Sequence, residues 1–168
     1  MPAARIRAAG KHQGEASIVK TKHIFVYGSL RRDLPERLLP PGGAEAIHAM
    51  RRLARYRGKA RLSGQLIHLG DYPGLVDSTN TEVIGDLYRS DDMPRLLAAL
   101  DAYEESTSAQ TRRRSDAEYF RTRRKVRTEN GEEVYAWVYV CNRECAGAVP
   151  ILSGDYLDWI ESQTGTVA

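Results

Sequence analysis

The sequence predicts an α+β fold, a curved, barrel-like sheet with a few helices packed against it. Three observations predict it. Segments with strand patterning outnumber helical ones. Glycines recur inside those strands, at Gly58, Gly64 and Gly85, as bends and bulges require. Asn130-Gly131 separates two long alternating runs and is a strong hairpin signal.

The elements follow in order. Residues 1–22 read as a mobile extension, because Arg5, Arg7, Lys11, Lys20 and Lys22 face only Glu15 and no period holds. The domain, residues 23–168, opens with a short buried strand at Ile24-Phe25-Val26, stopped by Gly28. Prolines and glycines break residues 31–43, and Ala44 to Leu53 predicts a short helix. Residues 56–69 read as strand, and Tyr72-Pro73-Gly74 as a turn into Leu75-Val76. Residues 82–88 form another strand, with Val83, Gly85 and Leu87 on one face. A helix follows: Asp91 or Asp92 caps it, Pro94 suits its first turn, and Leu96, Leu97, Leu100 and Tyr103 form its buried stripe. Residues 105–118 are a polar loop. Strands at 119–128 and 133–141 come next. The second is apolar on both faces, which predicts a central strand covered twice. A short helix closes the chain, with Ser153 or Asp155 at its start and Tyr156, Leu157 and Ile160 inward.

Bulk properties exclude several classes. The chain of 168 residues suits one domain, with 42% hydrophobic and 28% charged residues. A formal charge of +3 is too weak to imply a nucleic-acid partner. No apolar run approaches the roughly 18 residues of a membrane span, and no apolar stretch follows the basic N-terminus as a secretory signal requires. Two cysteines, Cys141 and Cys145, favour a reduced, cytoplasmic setting. The histidines, His12, His23, His48 and His68, lack metal-ligand spacing, so no metal site is expected.

Three constellations could carry chemistry. Leu97 and Leu100 lie seven and four positions before Glu104 and share its helical face. Glu104 therefore points to the core or a cavity, and Glu105, in line with Asp101, to water. Burial and the negative end of the helix dipole favour the protonated form, which suits a general base near neutral pH. The alternative is a structural ion pair with an arginine such as Arg121. Second, Tyr27-Gly28-Ser29-Leu30 follows a buried strand, where converging backbone N–H groups form an anion nest. The alternative is a plain strand-ending turn. Third, Arg112, Arg113 and Arg114, then Arg121, Arg123, Arg124, Lys125 and Arg127, form a basic stretch. Its alternation along a strand reads as a solvated face rather than a nucleic-acid surface.

Together these residues resemble the gamma-glutamylcyclotransferase-like, or AIG2-like, family. The resemblance begins with Phe25-Val26-Tyr27-Gly28-Ser29-Leu30-Arg31 and continues through Gly64-Gln65-Leu66 and Tyr72-Pro73-Gly74-Leu75-Val76. It takes in Val83 to Tyr88, Leu100-Asp101-Ala102-Tyr103-Glu104, Tyr119-Phe120-Arg121 and Ala136-Trp137-Val138-Tyr139. It implies a small mixed β-barrel with flanking helices around a cavity. It also implies release of 5-oxoproline from a small γ-glutamyl amine or peptide, without metal or cofactor. Glu104 would move protons, and Tyr27, Gly28, Ser29 and Leu30 would bind the glutamyl group. Tyr119, Arg121 and Tyr139 would lie near the pocket. The expected assembly is a monomer or homodimer, with no nucleic-acid or membrane partner. Where many relatives carry glycine after the catalytic glutamate, this chain has Glu105. The rival reading is a non-catalytic module that binds an anionic γ-glutamyl-like metabolite.

Overall fold

The computed structural model describes residues 21–70, 72–104, 106–108, 119–142 and 148–165. Strand β1 (His23–Val26) pairs antiparallel with β5 (Glu82–Arg89) and parallel with β8 (Glu133–Cys141). Strand β2 (Arg55–Ser63) joins the other edge of β5, and β7 (Tyr119–Thr128) joins β8 through the turn at Gly131. Strands β2 and β7 then meet through Ala60↔Thr128 and Arg61↔Arg127, which closes a five-stranded barrel. At that seam Glu82 stands between two arginines, 3.7 Å from Arg61 and 2.9 Å from Arg127. A three-stranded sheet of β4 (Pro73–Val76), β3 (Gln65–His68) and β9 (Val149–Pro150) lies beside it.

Strand alternation sorts the core into two layers. Phe25, Leu62, Val83, Leu87, Phe120, Val126, Ala136 and Val138 fill the barrel. Ile24, Val26, Trp137 and Tyr139 face outward. They are covered there by helices α1 (Gly43–Leu53) and α2 (Met93–Glu104), which bury Met50, Leu96, Leu97 and Leu100. Helix α3 (Tyr156–Thr164) packs Tyr156, Leu157 and Ile160 on the barrel core, and Asp155 caps it through the Leu157 N–H at 3.0 Å.

Most elements agree with the sequence reading, including the hairpin β7–β8. The predicted strand 56–69 is split by Gly64 between two sheets, and Gly58 (φ 110°) makes the expected bulge opposite β5. Three expectations are corrected. Pro73 and Gly74 lie in a strand rather than a turn. The turn precedes them, where the Leu69 N–H donates to the Tyr72 carbonyl at 2.9 Å. β4 tolerates proline because it is an edge strand, whose outer N–H groups meet no ladder partner. Within the predicted loop 105–118, Ser106–Ser108 form β6, parallel to the start of β7. Residues 109–118, with Arg112, Arg113 and Arg114, lie outside the described residues, as do Glu105, Cys145 and residues 1–20. Of the predicted extension, Thr21 is buried and the Lys22 carbonyl accepts the Ser90 N–H at 2.8 Å. Finally, β8 is central but not covered twice along its whole length: Tyr135 remains 46% exposed. The basic strand beside it is ion-paired, Arg124 with Asp77, Lys125 with Glu133 and Arg127 with Glu82. Arg123 stacks on Tyr135 at 4.5 Å. Of the strand's alternating basic residues, Lys125 and Arg127 are exposed, whereas Arg121 and Arg123 are partly covered.

Candidate active site

The end of β1, the last turn of α2 and the adjoining ends of β4, β7 and β8 enclose a cavity of about 360 Å³. Tyr27, Gly28, Ser29, Leu30, Glu104, Tyr119 and Tyr139 all line it. The two leading constellations of the sequence thus share one wall-to-wall space. Arg121 is not in the lining. Its guanidinium grips Asp101, Nε to Oδ1 at 2.9 Å and an Nη to Oδ2 at 3.2 Å, and lies over the Trp137 ring at 4.8 Å. So the arginine considered as a partner for Glu104 is forked on the carboxylate one helical turn earlier.

The loop is shaped from both ends. The Arg31 N–H donates to the Gly28 carbonyl at 3.1 Å and closes a turn around Ser29 and Leu30. Among the described residues no protein acceptor takes the Ser29 or Leu30 N–H, which leaves donors for an anion. Gly28 is required by close approach rather than by an unusual backbone angle: a Cβ there would lie 2.8 Å from the Pro73 ring. Thus Pro73, not a ligand, occupies the space its missing side chain leaves. Beyond the turn, Arg31 is 1% exposed and sits between two buried carboxylates. It donates to Asp155 at 2.6 Å and, more weakly, to Asp86 at 3.4 Å. Its Nε is within ion-pairing distance of Asp86, 3.4 Å, but is not aligned as a hydrogen bond. Asp86 also accepts the Arg32 N–H at 2.8 Å, and Asp155 is the α3 cap.

Helix α2 supplies the opposite wall. Its start is capped by Asp92, which accepts the Arg95 N–H at 3.4 Å. The buried stripe of Leu96, Leu97 and Leu100 seats it on the barrel and brings Glu104, half-buried, to the cavity. Asp101 on the same helix accepts the Tyr139 hydroxyl at 2.7 Å. The other tyrosines are fixed too: Tyr27 donates to the Tyr139 carbonyl at 2.7 Å and Tyr119 to the Pro73 carbonyl at 2.8 Å.

Electrostatics link these groups. Burial first, then the Glu104 charge, pushes the Tyr27 phenol well above its ordinary range. Burial also dominates the upward shift of Tyr139, reinforced by the Asp101 charge and hydrogen bond and then by Glu104. Tyr103 is raised by burial, with its Ser29 bond opposing and Glu104 adding to the rise. Glu104 thus contributes to the upward shift of three phenols that line the cavity. No group of three potential metal ligands occurs among the described residues.

Sequence reasoning assigned Tyr103 to packing alone, yet its hydroxyl lies 2.7 Å from Ser29 Oγ and bridges the two walls. The available signal was a phenol at the open end of a buried helical stripe, where a hydroxyl needs a partner. Tyr72, Pro40 and Pro41 also line the cavity and were not singled out.

The chain matches the family model described as gamma-glutamyl cyclotransferase, AIG2-like, over residues 24–158. It is 37% identical over 136 residues to the gamma-glutamylcyclotransferase family protein YtfP of Escherichia coli K12, covering 80% of this chain and 96% of the relative. Among solved structures, a mouse AIG2-like protein aligns with a TM-score of 0.52 and 26% identity, over 71% of this chain and 76% of that one. YkqA of Bacillus subtilis aligns with a TM-score of 0.56 and 22% identity, a likeness of fold, over 85% of this chain but 42% of that chain.

Proposed function

We infer, because the chain belongs to the gamma-glutamyl cyclotransferase, AIG2-like family, that it releases 5-oxoproline from a γ-glutamyl amine or peptide, with Glu104 as the proton carrier. The observation that supports this most is the placement of Glu104 and the Tyr27–Leu30 loop on one cavity. In this reading the Ser29 and Leu30 N–H groups hold the glutamyl oxygens. Glu104 takes a proton from the α-ammonium group. The freed nitrogen attacks the γ-carbonyl carbon, a C–N bond forms, and backbone donors steady the oxyanion. Glu104 then returns that proton to the departing amine as the carbonyl re-forms and the old C–N bond breaks, and the ring nitrogen gives up its second proton to water.

Nucleophile and electrophile belong to one molecule, so positioning does much of the work. Orientation of this kind supplies on the order of 7–11 kcal/mol in well-aligned intramolecular reactions. The tyrosine rings and prolines of the lining would hold the curled conformer and keep water away.

The test is a panel of γ-glutamyl amines and peptides assayed for 5-oxoproline by mass, with Glu104→Gln alongside. Wild-type protein is expected to turn over at least one member. The variant should bind it and lose about 10²–10⁴-fold in kcat, the range of general acid–base catalysis. Unchanged kcat in the variant would remove Glu104 from the mechanism. Binding without 5-oxoproline from any member would leave a binding module instead.

A further inference from the structure

We propose that Tyr103 is a positioning residue which holds the Ser29 hydroxyl as a hydrogen-bond donor to an anionic oxygen of the glutamyl group. This rests on the reading that the Tyr27–Leu30 loop anchors that group. The two hydroxyls lie 2.7 Å apart on opposite walls of the cavity, and both residues line it. The pair carries two hydroxyl hydrogens, and their mutual bond uses one. A phenol is a stronger acid than an aliphatic alcohol and so the better donor. The bond therefore runs from Tyr103 to Ser29 Oγ, which leaves the serine hydrogen for a ligand.

The other tied tyrosines differ in kind. Tyr27, Tyr119 and Tyr139 each spend their single proton on a carbonyl or carboxylate of the protein. Those bonds build the walls. Only in the Ser29–Tyr103 contact, among these, does a hydrogen remain after the bond is made. Accepting from Tyr103 also polarises the serine O–H, since linked hydrogen bonds strengthen one another. Without the phenol, the Ser29 side chain is free to rotate among its three staggered positions. The bond further ties the anchor loop to the helical turn that carries Glu104. No proton changes owner: Tyr103 and Ser29 donate hydrogen bonds throughout.

The experiment is a double-mutant cycle with Ser29→Ala and Tyr103→Phe, reading the Kd of 5-oxoproline by calorimetry and kcat and KM wherever a substrate is turned over. Ser29→Ala should weaken binding about tenfold or more, as loss of a bond to a charged oxygen does. Tyr103→Phe should weaken it about fivefold in the wild-type background and have almost no effect in the Ser29→Ala background, the signature of acting through one partner. A merely structural role would carry the same loss into both backgrounds, and that result overturns the proposal. So does a Tyr103→Phe protein that binds as wild type. Wild-type protein that binds no 5-oxoproline overturns it together with the anchor. The expected cycle in Kd, but with no turnover of any γ-glutamyl compound, would sustain the pair and defeat only the cyclotransferase reading.

Discussion

Both walls of the cavity are fastened by an arginine and carboxylates, but one fastening is dry and the other wet. On the loop side Arg31 is 1% exposed, between Asp86 and Asp155. On the helix side the Arg121 and Asp101 side chains keep 23% and 32% exposure. A buried ion held by two opposite charges is costly to assemble and costlier to break, because its partners cannot turn to water. A half-exposed pair is worth little to stability, though its forked geometry fixes direction. The dry cluster therefore serves folding of the loop, and the wet one aims Tyr139 and the end of α2.

The largest effect follows from breaking the dry side. Arg31→Met leaves the buried Asp86 and Asp155 without their shared cation and should cost about 3–5 kcal/mol in urea denaturation. A loss below about 1 kcal/mol would mean that the carboxylates are relieved by some other group. On the wet side, Arg121→Ala should change stability by no more than about 1 kcal/mol. It should still slow 5-oxoproline formation by about tenfold, since small misplacements near a reacting centre are expensive. Equal losses from both variants in the same assay would erase the distinction drawn here.

A smaller effect comes from the buried phenols. Tyr27, Tyr103 and Tyr139 are all raised above the ordinary tyrosine value, chiefly by burial, and Tyr88 is raised to about 12. Above about pH 10 the unfolded chain releases protons that the folded chain retains. Stability is thus fully present below pH 10 and declines as pH rises beyond it. Tyr139→Phe should flatten that alkaline limb in denaturation curves at pH 9 to 11, and an unaltered slope would exclude its part in it.

Much of this was legible in the sequence because local signals and tertiary demands coincide. Asn130-Gly131 fixes the β7–β8 register, and Asp92 with Pro94 fixes the start of α2. Helical phase then carried Glu104 to the cavity side. What was not legible depends on partners far away in the chain. Pro73 fits a strand only because β4 is an edge. The ion cluster around Arg31 left no local trace, since Asp86 and Asp155 lie 55 and 124 residues further on. The polar run Ser106–Ser108 becomes a strand only because β7 offers it an edge. Tyr103 was visible as packing, while its hydroxyl bond to Ser29 required the fold.

The seam between β2 and β7 has a consequence of its own. Nine residue pairs join β7 to β8, but two pairs close the ring, and one sets Arg61 against Arg127. Glu82 acts there as a clasp shared by both cations. Without that carboxylate, Arg61 and Arg127 would meet across the closure as like charges at one register position, which is destabilising.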